Sequence, residues 1–159
     1  MTAAMSFDRN HEEVLGALQE QLRRGRILTP ELMAEVIARA CWRLQALHRT
    51  AKARVIRLVE SGAFADATLA LLELELPQWK PRRLIYEDCE LHCSLSKQIG
   101  LPTELDDMAE AAHESLPLAI LSAFVEARRF SLVASEGQPQ PVPLLRPTQG
   151  SVICCDNFA

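Results

Sequence analysis

The stretch "RRLIYEDCELHCSLS", residues 82–96, decides the fold. It holds Cys89, His92 and Cys93 within five positions, and these allow two incompatible readings. On a helix, positions i, i+3 and i+4 share one face, so all three side chains reach one soft metal ion. On a strand, Cys89 and Cys93 stand about 13 Å apart at ~3.3 Å per residue, and His92 points to the other face. A tetrahedral zinc with ~2.3 Å Zn–S bonds holds its sulfurs only about 4 Å apart, so a metal site requires the helix. The alternation of Leu91, Cys93 and Leu95 with His92, Ser94 and Ser96 favours a strand instead. Residues 82–88 and 90–96 then form a hairpin turning near Asp88-Cys89, although cysteine is a poor occupant of such a turn. Leu91, Cys93 and Leu95 face inward, and no metal or other cofactor is expected.

Working outward, "AFADATLALLELEL" (63–76) reads as a helix ended by Pro77. Residues 97–107 form a loop with Gly100 and Pro102, and "MAEAAH" (108–113) fits either a third strand or a short helix. Ser115 starts a last helix over 116–129, with Pro117 in its first turn and Arg128 and Arg129 at its negative end. The block Ala63–Arg129, with its final Pro-Leu-Ala-Ile helix, resembles small uncharacterised bacterial and prophage proteins described as an ABA sandwich. In that group two helices pack on a small antiparallel sheet. The resemblance implies a fold and a bacterial or mobile-element context, and it brings no functional residues.

Further upstream, a helix over 8–24 carries Val14, Leu15, Leu18 and Leu22 on one face and stops at Gly25. Thr29 as N-cap, Pro30 at N1 and Glu31 in the first turn then open a second helix. Met33, Ile37, Ala40, Leu44, Leu47, Ala51, Val55 and Leu58 repeat at spacings of three and four, with no Gly or Pro before Gly62. One helix over 30–61 would span roughly 45 Å. The expectation is therefore an α+β fold. It has an N-terminal helical hairpin with a long second helix (1–62), a small antiparallel sheet flanked by helices (63–130), and a disordered Pro-rich C-terminal tail (131–159).

The chain has 159 residues, enough for one ordinary core, and 24% charged residues at a net charge of −4. The N-terminus lacks the apolar run of a signal peptide, and no run approaches the ~20 residues of a membrane span. A cytoplasmic protein without membrane contact is expected, with its five cysteines as free thiols.

Charge marks one candidate surface. From Val36 to Val59 there is no acidic residue, and on a single helix Arg39, Arg43, Arg54 and Arg57 fall within an arc of about 60°. Such a row fits a phosphate backbone or an acidic protein partner, or it pairs internally with the acidic C-terminal half. The acidic overall charge and the lack of stacking aromatics nearby weigh against nucleic acid. Trp42 lies opposite that row and needs cover, from the first helix or from a second copy in a homodimer through the long helix. No catalytic residues are expected. His113-Glu114-Ser115 is better used as a helix start, Asp106-Asp107 lacks calcium-loop spacing, and no nucleophile elbow or phosphate loop occurs. The reading is a non-catalytic protein-interaction or regulatory module, with a nucleic-acid-binding accessory protein as the alternative.

Overall fold

The computed structural model describes residues 2–46 and 49–136, with side chains for 10–46 and 49–133. Helix α1 (Thr2–Arg24) begins earlier than the periodicity indicates. Its Leu15, Leu18 and Leu22 are fully buried against α6 (Leu116–Glu136). Burying each such leucine contributes roughly 1.5–3 kcal/mol, which fixes α1 to the C-terminal helix rather than leaving it as half of a separate hairpin. Gly25 closes α1 by donating its N–H to the carbonyls of Gln21 and Leu22. The next helix, α2 (Pro30–Ala40), starts as expected, with the Thr29 hydroxyl accepting the Leu32 N–H at 3.3 Å and Pro30 in the first turn.

The long helix expected over 30–61 is corrected by the structure, which divides it. Helix α2 ends at Ala40, Cys41 leaves helical geometry at φ −112° and ψ 75°, and α3 (Trp42–Ala46) begins at once. Helix α4 (Arg49–Glu60) lies beyond residues 47 and 48. The cause is a residue elsewhere in the chain. Glu75, at the end of α5 (Phe64–Glu75), is buried, and its carboxylate accepts the backbone N–H groups of Arg43, at 3.2 Å, and of Leu44. The first N–H groups of any helix lack internal acceptors, so a buried carboxylate facing them rewards a new helix start at that point. Between α4 and α5, Gly62 sits at φ +75°, with its own N–H bound to Val59 O and that of Ala63 to Leu58 O. This left-handed closure favours glycine and produces the break expected there.

Strands β1 (Lys80–Glu87), β2 (Glu90–Ser96) and β3 (Met108–His113) form one antiparallel sheet in the order β1-β2-β3. Residues 108–113 are thus a strand. Asp88 and Cys89 turn the hairpin at φ +52° and +65°, the paired positive values of a type I′ turn. Cys93 and Leu95 enter the core with Ala109, under α6. Ser96 is not outward as expected but fully buried, because its hydroxyl donates to Asp106 and accepts the Gln98 N–H at 3.0 Å. Helix α6 also outruns its expected end at 129. Phe130 stacks on Trp79, Ser131 accepts the Trp79 indole N–H at 3.2 Å, and Leu132 still packs on the core. The Pro-rich segment from 137, with Cys154 and Cys155, lies outside the described residues.

Burial leaves a signature in two thiols. It pushes Cys93 from the ordinary 9.0 to about 11. It pushes Cys41 up as well, aided by the negative charge of Glu75 and opposed by Arg128. A thiol that ionises later in the folded chain than in the unfolded one stabilises the fold fully below the unfolded value. That contribution disappears as pH rises from about 9 toward 11. The denaturation midpoint of wild type is therefore expected to fall between pH 8 and pH 10.5 by more than that of Cys93→Ala. Equal falls in urea midpoint for the two proteins between these pH values would show that this thiol does not contribute.

Candidate interaction surfaces

The sheet presents two faces and two edge strands, β1 and β3. Helix α6 lies across β3 and β2, and β1 packs chiefly on β2 alone. In the strand register Leu84 stands beside Cys93 and Tyr86 beside Leu91, so both lie on the helix side of the sheet. There, Cys93 is buried, whereas Leu84 is 48% and Tyr86 68% exposed. Phe130 of α6, 40% exposed and stacked on Trp79, adds apolar surface beside the start of β1. A strip of this kind on an edge strand departs from what an isolated sheet tolerates.

The opposite face is polar. Arg83, Ser94 and Glu110 stand side by side across the three strands, with Ile85, His92 and Ala112 in the next row. With Glu87 they line a hollow of about 390 Å³. Cys93 belongs to the inner face, so His92 and Cys93 diverge, and Cys89 is exposed in the turn. Among the described residues no three His, Cys, Asp or Glu side chains gather as a metal ion requires. His113 is held by backbone on both sides. Its Nδ1 accepts the Ser115 N–H at 2.9 Å, which places the ring proton on Nε2, donated to Gly25 O at 2.8 Å. It therefore fastens the end of β3 to the end of α1.

The four arginines of the expected stripe do not share one helix. Arg39 ends α2 and pairs with Glu35 at 3.1 Å, Arg43 lies in α3, and Arg54 and Arg57 are exposed on α4. A 100° step cannot be carried across the break at Cys41, so the 60° arc does not describe their arrangement. Helix α4 keeps a basic surface of its own, with Arg49, Lys52, Arg54 and Arg57 exposed and no acid before Glu60. Trp42 is half-buried and covered within the chain. His11 of α1 stacks on it at 4.2 Å, and the guanidinium of Arg128 lies 4.3 Å from its ring centre. Arg128 also reaches Glu75 at 3.5 Å, so one buried node joins α1, α3, α5 and α6. Burial pushes the Arg128 guanidinium down from its ordinary value, and Glu75 opposes that shift.

Sequence reasoning missed both the edge surface and this node. The signal for the first was present in "RRLIYE", where apolar side chains fall on both faces of a strand. No helix among the described residues is long and apolar enough to cross a membrane. No family model, curated protein or solved structure matches the chain.

Proposed function

We propose that the chain is a non-catalytic protein-interaction or regulatory module of bacterial or mobile-element origin, and that β1 is its contact surface. The observation that carries this reading is the uncovered strip of Leu84 and Tyr86 on the edge strand. An edge strand offers backbone hydrogen bonds for affinity and alternate side chains for selectivity, a common way of recognising another chain. The expected result is at least one bacterial protein captured by wild type and lost by Leu84→Glu/Tyr86→Glu, with circular dichroism unchanged. An identical captured set for both would remove β1 from the function.

A second reading rests on α4, whose exposed Arg49, Lys52, Arg54 and Arg57 favour a polyanion. With Arg39 and Arg43 nearby in sequence, they suit a nucleic-acid-binding accessory role. Binding to a generic duplex at low salt, lost by about 0.2 M salt and weakened by Arg54→Ala/Arg57→Ala, would support it. No binding at low salt would end it.

A further inference from the structure

The edge strand is complementary to itself, and we infer that its occupant is the β1 strand of a second copy of this chain. The inference rests on the reading of β1 as a contact surface and names the partner. The register follows from the hairpin. Glu87 and Glu90 flank the two-residue turn and pair with each other. Residues flanking such a turn share both backbone hydrogen bonds, and the pattern then alternates along the strand. Glu87 and Ile85 therefore direct their N–H and C=O groups to β2, while Tyr86 and Leu84 direct theirs outward.

Two antiparallel copies satisfy those outward groups when Leu84 of each faces Tyr86 of the other, with the two-fold axis at Ile85. Every side-chain pair in that register is favourable. Leu84 meets Tyr86 twice on the helix side, closing the exposed strip. Ile85 meets its own copy on the other face, and Arg83 meets Glu87 twice. Arg83 and Glu87 are exposed and make no ion pair among the described residues, so both are available. Beyond them the charges continue to match, with Lys80 at the end that reaches Glu90 of the other copy.

The same strand carries devices that limit pairing to this core. Pro81 lacks a donor, and the register shifts between Pro81 and Arg83, which interrupts the regular row of outward groups there. Arg82, at the bulge, is held by Asp106 at 2.7 Å. What remains free is "RLIYE", residues 83–87, whose basic start and acidic end match in antiparallel pairing and repel in parallel pairing. A two-fold contact of this type closes on itself and ends at a dimer, giving one six-stranded sheet.

Light scattering and sedimentation of the full chain test this. Wild type should be a dimer, and Arg83→Glu and Glu87→Arg should each weaken dimerisation about tenfold while remaining folded. An equimolar mixture of the two variants should recover the dimer, because each charge then faces its opposite on the other chain. In a background with Cys89, Cys154 and Cys155 replaced by serine, Ile85→Cys should oxidise to a covalent dimer across the axis. A wild type that stays monomeric up to its solubility limit overturns the inference, as does a mixture that fails to recover. A monomer that still loses a captured protein on Leu84→Glu/Tyr86→Glu would sink self-pairing alone and leave the contact surface standing.

Discussion

Glu75→Ala is expected to destabilise the fold by about 4 kcal/mol, a large share of the margin of an ordinary domain. The carboxylate is 1% exposed, and it accepts two backbone N–H groups at the start of α3 while pairing with Arg128. Its loss leaves an arginine buried at the Trp42 ring without a counter-charge and two helix-start donors without acceptors. Glu75→Gln should recover only part of the loss, because an amide offers one oxygen where two N–H groups need acceptors. Urea denaturation followed by circular dichroism measures each step.

The double variant Glu75→Leu/Arg128→Met separates charge from capping. It removes the unpaired cation but still leaves the Arg43 and Leu44 N–H groups bare, so it should be more stable than Glu75→Leu alone. Arg128→Met alone should be the mildest, since Glu75 keeps its two N–H donors. A double variant whose loss equals the sum of the singles would mean that Glu75 and Arg128 act independently.

That node also explains what the sequence conceals. The hairpin, its turn and the inward set of Cys93 and Leu95 were legible because alternation over seven residues is a local signal. The Thr29–Pro30 start and the Gly62 stop were legible because their chemistry sits within one turn of the helix end. The break at Cys41 was not, because both sides keep the same heptad-like phase and neither Gly nor Pro marks it. Its cause lies more than thirty residues away, in a glutamate that reads as the polar side of α5. The arginine arc failed with it, since one helical phase was extended across a discontinuity. Trp42 was recognised as needing cover, and His11 of the first helix supplies part of it. That β1 would form an edge of the sheet was not legible, because strand order depends on 108–113 pairing with β2, a tertiary choice that "MAEAAH" does not encode.

The adjacent carboxylates at 106 and 107 look equivalent in sequence, and their replacement should separate them sharply. The Asp106 side chain is 2% exposed, accepts the Ser96 hydroxyl, and pairs with Arg82 at 2.7 Å. Arg82 in turn donates to Leu101 O at 2.7 Å, so the carboxylate ties the β1 bulge and the end of β2 to the 97–107 loop. Asp106→Ala strands a mostly buried guanidinium and should cost about 3 kcal/mol. Asp107 is exposed, and Asp107→Ala should stay within about 0.5 kcal/mol of wild type. Hydrogen exchange adds a local readout, because losing the tie should accelerate exchange at Gln98 and Leu101 ahead of the strands. If the two alanine variants unfold at the same urea concentration, the Arg82–Asp106–Ser96 cluster contributes nothing net. The loop would then be held by its backbone turns and Pro102 alone.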